Sequence, residues 1–204
     1  MLKKVLLGVS LAVASVFANG FFVGISGGYG FTSMSRDTLA QTSGGIWIDN
    51  EIGDGETRFN ALSYGAKLGY EHNFTEQHGL KAYLDYSRAA SSKSDEFASK
   101  LSYDIASINA DYHFHFLPEF SAFVGLSVGY NWASSDGLYG NESDYGFGAN
   151  VGVDYDITDF LEIEAKFRYF DSNLPEKTFQ SGTAATKVEP DDFSQIMLGV
   201  TFKF

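Results

Sequence analysis

Apolar and polar residues alternate along most of this chain, and the alternation recurs in eight separate stretches. A strand sends successive side chains to opposite faces, so strict alternation predicts strands with one greasy face. The last stretch is the clearest. Ile196, Leu198, Val200, Phe202 and Phe204 share one face, while Met197, Gly199, Thr201 and Lys203 share the other. Before it come Phe21–Phe31, Phe59–His72, Gly79–Ser87, Leu101–His115, Phe120–Trp132, Tyr145–Ile157 and Phe160–Phe170. Each has an apolar face opposed by glycines, small polar residues or charges.

The connections between these stretches alternate in length. Asn73–His78, Phe116–Glu119 and Ile157–Asp159 read as short turns. Thr32–Thr57, Arg88–Ser99, Ala133–Ser143 and Asp171–Asp192 read as longer polar loops. An even number of strands of about 10 residues, joined alternately by short and long connections, is the pattern of a membrane barrel. The expected fold is all-β: an eight-stranded antiparallel up-and-down transmembrane β-barrel. It should have short periplasmic turns and four longer extracellular loops.

A soluble eight-stranded barrel with a greasy interior shares this periodicity. Four details favour the membrane. Full charges stand mid-strand on the polar face, among them Lys67, Glu164, Lys166 and Arg168, and almost none on the apolar face. Aromatics gather near both ends of that apolar face. Tyr70, Tyr112, Phe114, Tyr155, Phe202 and Phe204 form one girdle, and Tyr29, Phe31, Tyr86, Tyr130, Trp132, Tyr145 and Tyr169 the other. Asymmetric loops and the aromatic end at Phe204 are the remaining two.

An eight-stranded interior is just wide enough to be filled by side chains. Here it should hold glycines, small polar residues and a charge network of Lys67, Glu71, Lys81, Asp85, Asp111, Asp154, Glu162, Glu164, Lys166 and Arg168. Buried charges persist only when paired. If Glu71 lies opposite Lys81, the same register sets Lys67 opposite Asp85, giving two cross-strand pairs. Lys166 and Arg168 are then expected to answer Glu162, Glu164 and Asp154. A packed, charged lumen argues for a plug, not a pore.

The N-terminus changes the picture from strand to leader. Lys3 and Lys4 precede an apolar run of about 13 residues, too short to span a bilayer as a helix. Val16-Phe17-Ala18 fits a small-residue cleavage site, so residues 1–18 read as a signal peptide. The barrel domain should occupy 19–204, with the cut between Ala18 and Asn19. Net charge is -12, and -14 without those two lysines, which argues against nucleic acid as a partner. Cysteine is absent, which removes disulfide and thiol chemistry.

With these strands and the Val200-Thr201-Phe202-Lys203-Phe204 ending, the chain resembles the small eight-stranded outer-membrane proteins. These are the OmpX and Opa-like surface proteins and the transmembrane part of OmpA. The resemblance covers Asn19–Phe204 and rests on architecture. It implies a bacterial outer-membrane location and implies that Phe202 and Phe204 form the signal read by the outer-membrane assembly machinery. The peptidoglycan-binding domain of full OmpA, and with it cell-wall tethering, is not expected. Outer-membrane lipids and lipopolysaccharide are the implied surroundings, with a monomer expected.

Some barrels of this size act on lipid A, which directs attention to the histidines. His72, His78, His113 and His115 all lie near the periplasmic turns, and no His-x-Ser motif occurs. His113 and His115 share a face at strand spacing, yet they read best as polar residues on a wet rim. Asp49, Glu51, Asp54 and Glu56 in the first loop lack EF-hand spacing and read as a solvated acidic loop. The triplet Ile46-Trp47-Ile48 there reads as the extension of a hairpin or a contact surface. No catalytic residue, metal site or cofactor is expected. The leading role is a non-enzymatic barrel presenting acidic loops for surface interaction or envelope integrity, with a possible extracellular partner. A narrow porin-like channel is the alternative, and a lipid A-modifying enzyme ranks below both.

Overall fold

The computed structural model describes residues 20–41, 47–49, 55–91, 101–135, 140–172, 174–181, 184–190 and 192–204. The expected signal peptide with its Ala18–Asn19 cut, Ile46, Glu51 and Asp54 lie outside the described residues. Among the described residues eleven strands follow one another: β1 (Phe21–Gln41), β2 (Trp47–Asp49), β3 (Gly55–Asn73), β4 (His78–Ser91), β5 (Leu101–His115) and β6 (Phe120–Ser135). After these come β7 (Asn141–Thr158), β8 (Leu161–Ser172), β9 (Lys177–Ser181), β10 (Ala184–Pro190) and β11 (Phe193–Lys203).

Eight of them are the staves of a closed antiparallel barrel. The order is β1, β3, β4, β5, β6, β7, β8, β11, and β11 returns to pair with β1 from Phe22↔Lys203 to Phe31↔Ser194. The staves coincide with the eight alternating stretches of the sequence. Closure leaves no open edge in the spanning region, which a bilayer demands because no water is there to satisfy backbone groups. At the seam Gly28 is required. A Cβ there would run into the backbone of Ile196 and Met197 on β11. At the periplasmic end the Phe204 amide donates to Phe21 O at 2.9 Å, and the Gly20 amide donates to Phe204 O at 3.1 Å.

Long staves overshoot the membrane on one side. About 9–11 tilted residues suffice to cross, whereas β1 has 21, β3 has 19 and β7 has 18. The surplus lies at the extracellular end and corrects two of the expected loops. Thr32–Thr57 is largely strand: β1 runs on to Gln41, β3 starts at Gly55, and β2 pairs Trp47–Asp49 with Leu39–Gln41. Asp171–Asp192 contains the β9–β10 hairpin, and β10 pairs with β1 from Met34↔Pro190 to Ala40↔Ala184. Backbone groups of a long connection need partners, and the projecting end of β1 supplies a ready ladder on both sides. The two shorter connections also shrink, with β4 reaching Ser91 and β6 reaching Ser135.

Candidate functional site in the barrel lumen

The lumen is built by strand parity. On β8 the alternation aims Glu162, Glu164, Lys166 and Arg168 inward in succession, and all four are buried. On β3 and β4 the same rule turns Lys67, Lys81, Tyr83 and Asp85 inward. The register pairs Lys67 with Asp85 and Glu71 with Lys81, the alignment expected from the sequence.

The ion pairs themselves run elsewhere. Lys67 Nζ reaches Glu164 Oε2 on β8 at 2.6 Å. Lys81 Nζ bridges Asp154 Oδ2 at 2.8 Å and Glu162 Oε2 at 2.7 Å. Arg168 Nη1 donates to Asp85 Oδ1 at 2.7 Å, and Lys166 Nζ lies 3.3 Å from Glu164 and 3.9 Å from Asp85. Glu71 is met by Lys203 at 3.5 Å, which also holds Asp156 and Glu162, each at 2.7 Å. The expected cross-strand pairs are therefore replaced by pairs across the lumen. Side chains of a narrow barrel converge on its axis, so an extended lysine meets the far wall more readily than its neighbour.

Neutral groups complete the network. The Tyr83 hydroxyl donates to Asp111 Oδ2 at 2.6 Å, and Asn150 Nδ2 donates to Asp111 Oδ1 at 3.0 Å. Arg168 Nε donates to Asn150 Oδ1 at 3.2 Å, so β4, β5, β7 and β8 are tied through one chain of contacts. The Lys67 and Lys166 ammoniums each lie within 5.7 Å of the Tyr83 ring centre. Buried charges are tolerable in such an interior because they meet opposite charges at contact distance or, as Asp111 does, hydrogen-bond donors.

Above the charges, toward the extracellular end, the lumen is apolar. Phe59, Tyr103, Ile105, Phe170, Leu174 and Phe193 pack together with Ala61, Ala89 and Ala133, all buried. The Tyr103 and Phe193 rings stack with centres 5.1 Å apart. This corrects the expectation of a lumen holding only glycine, small polar residues and charges. The signal was available: Phe59 has the parity of Ser63, Phe170 that of Arg168, and Phe193 that of Met197.

The histidines divide. His113 is buried in the lumen, with Nδ1 3.1 Å from Asp154 Oδ2 and its ring stacked on Phe123. It is thus no rim residue, because its inward parity at the middle of the charged tier removes it from water. His115 stands below it, half-buried, while His72 is exposed and His78 contacts the Tyr112 hydroxyl at 2.6 Å. Asp154, Glu162 and Glu164 bring carboxylate oxygens within 4.8 Å of one another, as a cation site would. Lys81, Lys67 and Lys166 already occupy that space with their ammonium groups, so these donors do not fit a metal ion. Of the first-loop acids, Asp49 falls in β2 and Glu56 in β3.

Outside, the polarity inverts. Leu126 is 72% exposed, and Ile25, Leu62, Leu84, Ile108, Leu198 and many others are also bare. The girdle residues Tyr29, Tyr70, Tyr86, Tyr112, Tyr130, Trp132, Tyr145, Tyr155 and Tyr169 all face outward, as do Phe202 and Phe204. Among the described residues no helix is long and apolar enough to cross a membrane. A closed sheet with charges inside and a bare apolar belt outside is the wall of a transmembrane β-barrel.

The chain belongs to the outer membrane protein beta-barrel domain family, whose family model matches residues 5–204. It is accordingly a protein of the bacterial outer membrane. It is 28% identical over 117 residues to the outer membrane protein PagN of Salmonella typhimurium, a match covering 48% of each chain. The matched stretch thus spans about half the length of that curated relative. Its fold is similar to that of Neisserial surface protein A (TM-score 0.52, 20% identity, covering 91% of this chain and 98% of that one). It is also similar to OprG from Pseudomonas aeruginosa (TM-score 0.54, 15% identity, covering 92% and 98%).

Proposed function

We propose that this barrel is a non-enzymatic, non-conducting anchor that presents extracellular β-structure for surface interaction or envelope integrity. The filled lumen carries this reading. A tier of cross-lumen ion pairs lies beneath a tier of packed aromatics, and water and ions would have to displace both. The strands that overshoot the membrane give the outer end a sheet of its own, β2–β1–β10–β9, as a presenting surface. Its partners would be lipopolysaccharide and other outer-membrane lipids around the belt and an extracellular ligand at that sheet. The assembly machinery would read Phe202 and Phe204, and the working state would be a monomer.

Planar-bilayer recording with the full chain tests the closed lumen. The expected trace is flat, and clear reproducible single-channel steps would overturn the reading in favour of a narrow channel. Mass analysis of lipid A from cells with and without the protein should show no difference, and a change in acylation would overturn the non-enzymatic assignment. For the presenting role, variants shortened across 42–54 and across 173–191 should lose surface binding while keeping the barrel.

A further inference from the structure

The lipid-facing wall is not evenly rough. Following the register across β3, β4, β5, β6 and β7, one outward row reads Ala66–Tyr86–Ala106–Tyr130–Tyr145. Small and aromatic residues alternate there, so Ala106 lies in a trough between two tyrosines. The row below it, Leu68–Leu84–Ile108–Val128, continues the trough toward the membrane centre as a purely apolar surface. Together these rows enclose a recess of about 610 Å³. That is within the about 300–1,000 Å³ typical of small-molecule sites.

The row above is different. It reads Tyr64–Arg88–Asp104–Trp132–Ser143, which places Arg88 directly opposite Asp104 and Ser143 beyond Trp132. Arg88 Nη1 is 3.7 Å from Asp104 Oδ1, too long for a hydrogen bond, and its side chain is 43% exposed. The Tyr86 hydroxyl donates to Asp104 at 2.5 Å, and the Tyr130 hydroxyl contacts Ser143 Oγ at 2.8 Å. The apolar trough is therefore crowned at its extracellular end by a cation, a carboxylate and hydroxyls.

A hydrocarbon chain suits the trough, a phosphate suits Arg88, and hydroxyl or amide N–H donors suit Asp104. The crown stands at the level of the outer leaflet, whose lipid carries acyl chains, phosphates and sugar hydroxyls in one molecule. We propose that this recess is a specific site for one lipid A moiety of lipopolysaccharide, an acyl chain lying over Ala106 between Tyr86 and Tyr130 and a phosphate meeting Arg88. The proposal rests on the outer-membrane location and not on the role assigned to the loops or the lumen.

Native mass spectrometry of the full chain in mild detergent, with lipid A or phosphatidylglycerol added separately, tests it. Wild-type barrel should retain one lipid A. Ala106→Phe fills the trough, and retention should fall about tenfold or more. Arg88→Gln should lower it several-fold, and Ala149→Phe, on the outward face beyond the recess, should leave it unchanged. Unheated gel mobility confirms folding of each variant. Should Ala106→Phe fail to fold, Ala66→Phe fills the other flank of Tyr86 and should weaken retention in the same way. Equal retention by the trough-filling variant and wild type, equal loss in Ala149→Phe, or phosphatidylglycerol held as tightly as lipid A would each overturn the site.

Discussion

Lys81 bridges Asp154 on β7 and Glu162 on β8, and Lys81→Met is the sharpest test of the lumen. Methionine keeps the length and the packing but removes an ammonium that contacts Asp154 at 2.8 Å and Glu162 at 2.7 Å. At an effective dielectric constant of about 20, each such contact is about 6 kcal/mol of gross attraction, most of which offsets desolvation. The net loss on removing one partner of a buried pair is about 3–5 kcal/mol. The two carboxylates are not left equal. Glu162 keeps Lys203 at 2.7 Å, whereas Asp154 keeps only His113 at 3.1 Å and its Oδ1 already lacks a hydrogen bond. Adding Asp154→Asn to Lys81→Met should therefore recover about 1–3 kcal/mol. Adding Glu162→Gln should recover less, because it also strips Lys203 of a partner. Urea unfolding in detergent micelles, followed by the mobility of the folded band on unheated gels, gives the midpoints and slopes. A cost for Lys81→Met below about 1 kcal/mol, or a larger rescue by Glu162→Gln than by Asp154→Asn, would refute the reasoning.

Four further outcomes follow from the same geometry, the first three read by that unfolding assay. Gly125→Ala places a methyl against the Asp111 carboxylate and the Ala110 carbonyl and should cost about 1–3 kcal/mol. Gly27→Ala, whose nearest neighbour would be Ser63 O at 3.9 Å, should be close to neutral. Phe170→Ala empties the middle of the apolar tier and should cost about 3–5 kcal/mol, and a cost under 1 would mean that the tier is loosely packed. Leu126→Arg puts a charge on the barest part of the belt and should cost about 2–4 kcal/mol in lipid vesicles; no cost there would contradict the position of the belt.

The staves were legible in the sequence because period-2 alternation is a property of the strand itself, and β4 and β11 keep it without a break. The inward charges followed from the same parity, and the β3–β4 register from two charge pairs that match at one alignment across the turn 74–77. Which charge meets which followed only for Lys166, which meets Glu164 as expected, whereas Arg168 meets Asp85 and not the acids of β7 and β8. Lys81 finds Asp154 and Glu162 on β7 and β8, and that choice depends on how strands far apart in sequence face one another across the lumen. The apolar tier escaped notice for a related reason. Phe59, Tyr103, Phe170 and Phe193 look like lipid-facing residues until parity is carried past the polar part of each strand. Strands β9 and β10 were unreadable because such short polar strands gain their stability from the projecting end of β1, whereas Trp47 and Ile48 of β2 pair with β1 as the hairpin extension read for their triplet.

The seam between β1 and β11 has a consequence for how such a wall comes into being. Every other pair of neighbouring staves is consecutive around the barrel, β1 and β3 linked through β2 and β8 and β11 through β9 and β10, so its contacts are more local and close earlier. The pairing of Phe22 with Lys203 joins residues at opposite ends of the barrel domain. Until that zipper closes, the sheet has two long edges whose amides lack partners, facing a solvent that offers none. Completion thus waits on a pairing between the two ends of the sheet. The glycine at Gly28 is what lets the last stave approach closely enough for that zipper to close.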